Sequence, residues 1–222
     1  MLSLTLGLPR RGPLSLLCLG AHADDLEIGC GGLLLRLLAE RPRVSVRWVV
    51  FSGDVRRARE ARASAARLLR GAAALTVEVA GFRDGFFPFE GAAIKDRFEQ
   101  IKRAVNPDLV LTHRGDDAHQ DHRLLSELTW NTFRDALILE YEVPKYDGDL
   151  GRPNVFVPVS SAVRRRKVRH LMSSFPSQRR KQWYSAATFE GLMRLRGVEC
   201  AADSGYAEAF YARKLVIAPT AL

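Results

Sequence analysis

Short apolar runs alternate with segments of helical periodicity along the first half of the chain. The apolar runs are too short for helices and rich in branched residues, which is typical of buried strands in a parallel sheet. The segments between them repeat apolar residues every three or four positions, which predicts amphipathic helices, and Asp54 is a suitable N-cap for the second of these. The predicted strands are 14–20, 44–51, 75–81 and 108–113, and the predicted helices are 31–40, 56–70 and 94–105.

The pattern is weaker beyond about residue 140. Neither a low-complexity linker nor an internal repeat interrupts the chain, so we predict one domain that spans residues 1–222. The predicted elements of this part are strands within 138–149 and 154–160, helices at 161–172 and 185–197, and a last strand at 210–217.

Alternating strands and helices predict an α/β fold, a Rossmann-like, mostly parallel sheet with helices on both faces. In such sheets ligands bind outside the carboxyl ends of the strands, near the point where the strand order switches. The residues that follow strands 14–20 and 108–113 are therefore the first place to look for chemistry.

Length and composition fit one globular domain with a hydrophobic core. Of 222 residues, 47% are hydrophobic and 27% charged, and no run approaches the ~20 apolar residues that span a bilayer. At the N-terminus the charges of PRRGP come after the first apolar run, the wrong order for a secretory signal, so we expect a cytoplasmic protein. Three cysteines without CxxC spacing argue against a disulfide framework and against a thiolate zinc site.

A formal net charge of +9 raises the hypothesis of nucleic-acid binding. The densest basic stretches are 164–170 and 179–181. They can follow a phosphate backbone, form the solvated face of a helix, or attract a small anionic substrate. No zinc finger, RNP-like aromatic pattern or helix-turn-helix signal accompanies them. Charge alone leaves these alternatives open.

Two clusters of metal-ligating side chains follow the first and fourth predicted strands, and together they contain four of the five histidines. Zinc bound by nitrogen and oxygen ligands takes two imidazoles and a carboxylate and keeps an open position. Adjacent carboxylates also raise each other's pKa unless a cation holds them together. The two clusters therefore predict a metal site. Their members are His22, Asp24, Asp25 and Glu27 in the first, and His113, Asp116, Asp117, His119, Asp121 and His122 in the second.

Several members of these clusters could have structural roles instead of binding a metal. His113 suits a turn or a supporting position, and the same holds for Asp116 and Asp117, one of which could orient a ligand histidine by accepting its other N–H. The glycines of GCGG, at 29–32, do not match a dinucleotide loop, and the acidic residues before them would repel a pyrophosphate. We interpret them as a tight entry into the helix with close helix–sheet packing.

The sequence AHADDLEIGCGG, at 21–32, resembles the AHPDDE-type motif of the LmbE-like (PIG-L) family of zinc-dependent N-deacetylases, and HQDH, at 119–122, resembles its HPDH motif. Ala23 and Gln120 stand where the family usually has proline, which changes the stiffness of two turns and removes no chemical group. Other segments similar to the family, in particular to a bacterial subgroup of glycan and antibiotic pathways, are GDVRRAREARASAA (53–66), FRDGFF (82–87), PSQ (176–178) and YAEAF (206–210).

The resemblance implies roles for five residues around one zinc ion. His22, Asp25 and His122 would be its ligands, Asp24 the general base, and a protonated His119 the charged group that faces the oxyanion. The implied reaction is hydrolysis of an N-acyl group, most simply N-acetyl, from an amino-sugar derivative.

The resemblance also implies that Arg57, Arg83 and Asp84 contact the substrate, a small N-acylated amino sugar that is anionic or neutral. Neither nucleic acid nor a membrane anchor is expected, and assembly as a homo-oligomer stays open. The alternatives are a basic α/β protein that binds nucleic acid or another anionic partner without catalysis, and the same metal site with a different reaction.

Overall fold

A computed structural model describes residues 13–216, which form strands and helices in near-regular alternation. The strands are β1 (Leu14–Gly20), β2 (Val44–Ser52), β3 (Ala74–Phe82), β4 (Leu109–His113), β5 (Leu137–Tyr141), β6 (Val155–Pro158) and β7 (Ala207–Tyr211). The helices are α1 (Asp25–Glu40), α2 (Val55–Leu68), α3 (Gly91–Ala104), α4 (Gln120–Thr132), α5 (Ser161–Ser174) and α6 (Ala186–Glu199), with short 3₁₀ turns at Phe87–Phe89 and Pro176–Gln178.

The strands form one sheet in the order β3-β2-β1-β4-β5-β7-β6. The first five strands run parallel to one another, and β7 runs antiparallel to both β5 and β6. This confirms the predicted mostly parallel α/β sheet. Because β2 and β4 lie on opposite sides of β1, the strand order switches at β1 and β4, where a ligand site is expected.

Helices cover both faces of the sheet, as predicted. Alternate side chains of β1 point to opposite faces. Leu16 and Cys18 join the apolar cluster under α1, α2, α5 and α6, whereas Leu17 and Leu19 join the cluster under α3 and α4. Among residues 13–216, no helix is both long and apolar enough to cross a membrane.

The start of α1 corrects one sequence prediction. The helix begins at Asp25 rather than at residue 31, so the glycines lie inside it and do not form a tight entry. Carboxylates in the first turn favour this start because they interact with the helix dipole. The predicted close packing is confirmed: a Cβ on Gly29 would lie 2.5 Å from Cγ of Tyr141, and one on Gly32 would lie 2.8 Å from the Glu208 carboxylate.

Four other boundaries also differ from the prediction. Helix α3 begins at Gly91, because three residues before its apolar stripe already have helical backbone. Helix α4 was not predicted, since its polar start hides its periodicity. The strand within 138–149 ends at Tyr141, and the last strand lies at Ala207–Tyr211. Of the range predicted for that last strand, 212–216 is not in a strand and residue 217 falls outside the described residues.

Candidate metal centre

The candidate site lies at the carboxyl edge of the sheet, where β1 and β4 end. A short turn after β1 carries His22 and leads into α1 at Asp25. The loop after β4 carries Asp117 and His119 and leads into α4, which has His122 in its first turn. The two clusters that lie far apart in sequence therefore meet beside the switch in strand order.

The three predicted zinc ligands come together as a triangle of donor atoms. His22 Nδ1 lies 3.2 Å from His122 Nε2 and 3.3 Å from Asp25 Oδ2, and the last two atoms are 3.5 Å apart. Tetrahedral zinc with ligands at about 2.0–2.2 Å separates neighbouring ligand atoms by roughly 3.3–3.5 Å. Two imidazoles and one carboxylate in a triangle of this size therefore fit zinc and leave a fourth coordination position.

Asp117 orients the His122 ring. Its Oδ2 lies 3.0 Å from His122 Nδ1, and a carboxylate accepts the ring proton, so Nε2 faces the triangle with a free lone pair. Of the two aspartates that the sequence left open for this role, Asp117 is the one in place. Asp116 is 88% exposed at its side chain and pairs with Arg114.

Asp84 and Asp121 orient the His22 ring. The ring Nε2 lies 3.0 Å from Asp84 Oδ1 and 3.3 Å from Asp121 Oδ2, so the proton sits on Nε2 and Nδ1 faces the triangle. Asp121 also accepts the backbone N–H groups of Gly85 (2.7 Å) and Phe87 (3.1 Å), which fixes the loop after β3 beside the site. Asp121 belongs to the second cluster of the sequence, where its spacing indicates no particular role.

His113 lies beneath the triangle and is fully buried. Its Nε2 accepts the Ala21 backbone N–H at 2.9 Å and lies 3.2 Å from Asp25 Oδ2. The Tyr141 hydroxyl lies 3.1 Å from the same nitrogen. His113 therefore anchors the turn that carries the ligands, which is the supporting position considered for it in the sequence.

The protonation of the triangle suits metal binding. Burial raises the pKa of Asp25, but its contacts with His122, His113 and His22 lower that pKa well below its usual value. Burial lowers the pKa of His122 to about 3, which leaves its ring neutral, the form that ligates metals. Burial opposes a proton on His22, yet the neighbouring carboxylates, Asp25 foremost, raise its pKa well above 6.5. A metal would displace that proton.

Asp24 is a buried carboxylate beside the triangle, and its two oxygens differ in their hydrogen bonding. Its side chain is 4% exposed, Oδ1 accepts a hydrogen bond from Arg57 at 2.5 Å, and Oδ2 has no hydrogen-bond partner within residues 13–216. Burial raises the pKa of Asp24; Arg57 opposes that shift, and Asp25 adds to it. Arg57, predicted to contact substrate, therefore also holds the predicted base.

Arg57 is itself fixed by the 3₁₀ turn before α6. Its guanidinium donates to Ser177 Oγ at 3.0 Å and lies 3.6 Å from Glu60 Oε2, and Ser177 donates to the same glutamate at 2.5 Å. Ser177 belongs to PSQ, which the sequence analysis noted only as a segment similar to the family. Its hydroxyl gives no signal of this contact in the sequence.

His119 lies next to both ligand histidines, with ring centroids 4.6 Å from His122 and 4.9 Å from His22. Its Nδ1 accepts the Asp121 backbone N–H at 3.2 Å, so a neutral ring carries its proton on Nε2. Burial, followed by the positive charge of His22, lowers the pKa of His119 below 6.5. In the metal-free protein the neutral ring offers an Nε2–H donor, and a protonated His119 facing the oxyanion stays a prediction.

The loop after β3 places the two other predicted substrate residues at the rim. The Arg83 guanidinium lies 3.5 Å from the Phe86 ring centroid. The Asp84 side chain is 73% exposed, and one of its oxygens contacts His22. Phe87, in the same loop, stacks against His22 at 6.2 Å between ring centroids. Asp84 thus reaches a metal ligand as well as solvent.

The basic stretches do not form one continuous ridge. Lys167 and His170 point into the protein and are buried, and Arg164 lies over the ring of Tyr206. Residues 179–181 follow the 3₁₀ turn and lie outside any helix, so the helix-face interpretation applies to 164–170 alone. The other cations of both stretches are exposed. They are Arg165, Arg166, Arg169, Arg179, Arg180 and Lys181.

The fold and the triangle define an α/β protein with a histidine–carboxylate cluster that could hold a metal ion at its topological switch point. A family model described as PIG-L, GlcNAc-PI de-N-acetylase, matches residues 17–133, which include both metal motifs. The chain belongs to this family, as its resemblance predicted. A search among curated proteins finds no match.

Solved structures with the same fold cover nearly the whole chain. GalB, the 4-carboxy-2-hydroxymuconate hydratase of Pseudomonas putida KT2440, has 19% identity and a TM-score of 0.72, covering 93% of this chain and 99% of that one. N,N'-diacetylchitobiose deacetylase of Pyrococcus horikoshii has 20% identity and a TM-score of 0.65, covering 94% and 86%. A triple mutant of the deacetylase Orf2* of teicoplanin biosynthesis has 18% identity and a TM-score of 0.70, covering 89% and 97%.

Proposed function

We propose that this protein is a zinc-dependent amidohydrolase that removes the N-acetyl group from an amino-sugar derivative in glycan or natural-product biosynthesis. The observation that carries the proposal is the triangle of His22, Asp25 and His122 with the buried carboxylate of Asp24 beside it. Membership of a family described as a de-N-acetylase supports hydrolysis of an amide, and the two deacetylases of the same fold agree with it.

Asp24 is the group placed to move protons. Zinc held by the triangle would polarise the amide carbonyl and lower the pKa of a water molecule to roughly 7. Asp24 takes a proton from the attacking water, whose oxygen bonds to the acyl carbon, and returns it to the amine nitrogen as the C–N bond breaks. The products are acetate and a free amine. The raised pKa of Asp24 suits both transfers, and Arg57 keeps the carboxylate in place.

His119 is placed to stabilise the carbonyl oxygen as it gains negative charge. Its Nε2–H is the free donor, because Nδ1 accepts a backbone N–H. A donor of this kind contributes about 3–4 kcal/mol to a transition state. Arg83 and Asp84 at the rim contact the sugar in this proposal, and Arg57 lies between the sugar and the base. The net charge of +9 favours an anionic sugar derivative.

Metal content and acetate release test the proposal together. Elemental mass spectrometry of the wild type is expected to give about one zinc per chain, and His122→Ala to give little. His170→Ala is the matched control, since it removes a buried histidine that lies outside the triangle. Wild type and control should release acetate from N-acetylated amino sugars, and His122→Ala should not.

Two results would overturn the proposal. One is a wild type that takes up no transition metal even after reconstitution, or a His122→Ala variant that retains all of it. The other is a zinc-loaded wild type that releases no acetate across a panel of N-acetylated sugars. Because GalB is a hydratase, a conjugated enol acid belongs in the same screen, where water addition would appear as a loss of ultraviolet absorbance.

A further inference from the structure

Lys145 extends from the loop between β5 and β6 into the region behind the metal triangle. Its side chain is 9% exposed, and its Nζ lies 2.9 Å from Asp117 Oδ1 and 2.6 Å from Asp149 Oδ2. A buried ammonium group is costly unless it is paired, and here these two carboxylates pair it closely while Asp147 Oδ2 lies farther away, at 3.9 Å. Nothing in the sequence associates Lys145 with the site.

Asp117 is the residue through which Lys145 reaches the histidines. Its two oxygens are divided between different partners: Oδ2 faces His122 Nδ1 at 3.0 Å, and Oδ1 accepts the His119 backbone N–H at 2.8 Å. Lys145 binds Oδ1 as well. One carboxylate thus sets the orientation of a ligand ring and the backbone of the neighbouring histidine, and Lys145 limits the rotation of that carboxylate.

We propose that Lys145 is a positioning residue of the metal centre, which fixes Asp117 and through it the ring orientation of His122. The inference rests on the proposed function, because it assumes that the triangle binds a metal. Asp149 plays a different part: it accepts the Ala118 backbone N–H at 2.7 Å and fastens the loop, while it touches no histidine. Lys145 therefore acts on the ligand, and Asp149 acts on the loop.

The test compares zinc affinity, measured by chelator competition, in four variants. Lys145→Met should weaken affinity about 10–100-fold, the usual loss when a partner behind a metal ligand is removed. Lys145→Arg, which keeps the charge, and Asp149→Asn, which leaves the contact between Lys145 and Asp117, should stay within about threefold of the wild type. Lys102→Met is the control for loss of an exposed lysine.

A second readout needs no metal. In the metal-free protein, the His122 Nδ1–H hydrogen bond to Asp117 should give an exchange-protected imidazole proton by NMR. Its exchange should be faster in Lys145→Met, and also in Lys145→Gln if the methionine variant fails to fold, but not in Lys145→Arg. This signal reports the position of the ring and not the general stability of the loop.

The possible results separate the role of Lys145 from the proposed function. A wild type that binds zinc, together with unchanged affinity and unchanged proton exchange in Lys145→Met, overturns the role of Lys145 alone. A loss in Asp149→Asn equal to that in Lys145→Met also overturns it, because the contact would then matter only for holding the loop. A wild type that binds no zinc overturns the proposed function, and proton exchange then decides whether Lys145 positions the ring.

Discussion

Helix α1 contacts two buried groups of charged side chains, one halfway along its length and one at its first residue. Halfway along, Lys167 Nζ lies 2.6 Å from Glu208 Oε1 and also donates to the Ile28 carbonyl at 2.5 Å. Glu208 in turn accepts the backbone N–H groups of Gly32 (2.5 Å) and Leu33 (2.7 Å). The two charges of this group therefore pair with each other, and the backbone groups of α1 that they contact are hydrogen-bonded to them.

The group at the start of the helix is built differently. Ring nitrogens of His22 and His122 converge with a carboxylate oxygen of Asp25 in a triangle, and Asp24 adds a second carboxylate beside it. Lone pairs that face one another repel unless a cation or a proton lies between them. The first group is complete as an ion pair, whereas the acceptors of the second need a proton or a cation between them. Burial and charge are common to both, so the convergence of acceptors distinguishes a metal site from a structural clamp.

The largest effect that the comparison predicts is on catalysis, at Asp24. Asp24→Asn should keep the zinc content of the wild type and lower kcat about 10²–10⁴-fold, because the amide cannot accept the proton of the attacking water. Zinc content by elemental analysis and the rate of acetate release check this. Asp54→Asn is the matched control: Asp54 caps α2 by accepting the Arg57 backbone N–H, and asparagine caps equally well. Near-normal turnover in Asp24→Asn would remove Asp24 as the base.

A substitution in the Lys167–Glu208 pair should lower stability and leave the metal site intact. Lys167→Met leaves Glu208 buried without its cation, and removal of one partner from a buried pair costs about 3–5 kcal/mol. The free energy of unfolding in urea should fall by that amount, while the folded variant keeps one zinc per chain. Lys102→Met should leave stability nearly unchanged. A folded Lys167→Met protein without zinc would show that the two groups along α1 are coupled, which would contradict the comparison.

The meeting of the two clusters could be predicted from the sequence because a physical rule connects them. Parallel strands bring their carboxyl ends to one edge, so His22 and His122 were expected at the same edge of the sheet. The pairing of β1 with β4, which brings them into contact, comes from the structure. The element order followed from periodicity for the same reason, since local apolar spacing decides which residues form strands and helices.

The supporting residues could not be predicted because nothing local marks them. Lys145, Ser177 and Glu208 reach their partners across long sequence distances, and a single polar residue in a loop or strand looks the same whether its partner is water or a buried carboxylate. The start of α1 was missed for a related reason. Glycine disfavours a helix, yet here Gly29 is required by the close approach of Tyr141, which only the assembled sheet reveals.

A third buried group, around His170, predicts a smaller effect that depends on pH. Burial, with the charges of Arg67 and Arg166, lowers the pKa of His170 from 6.5 to about 4, and its Nε2 lies 2.8 Å from Ser64 Oγ. Between pH 4 and pH 6.5 the His170 ring is therefore protonated in the unfolded chain and neutral in the folded protein. This contribution to stability is fully present above pH 6.5 and declines as pH falls toward 4, by at most about 3 kcal/mol.

The variant His170→Gln isolates this contribution. Urea unfolding of the metal-free wild type and variant at pH 7, 5.5 and 4.5 should show a wild-type stability that falls more steeply with acid. Because both proteins share the four other histidines, the difference between them reports His170 alone. Parallel pH dependences would mean that His170 takes up its proton in the folded state as readily as in the unfolded chain.

The smallest predicted effect tests the packing of α1 against the sheet through two glycine substitutions of opposite sign. A Cβ on Gly29 would lie 2.5 Å from Cγ and 2.8 Å from Cβ of Tyr141, atoms close to the backbone of β5 that cannot easily move away. Gly29→Ala should therefore lower the free energy of unfolding by about 1–3 kcal/mol through overpacking, even though alanine favours helix. Gly191, inside α6, has open space around its Cβ position, so Gly191→Ala should raise stability by about 0.5–1 kcal/mol. Urea unfolding measures both, and a stabilised Gly29→Ala would show that α1 does not approach β5 this closely.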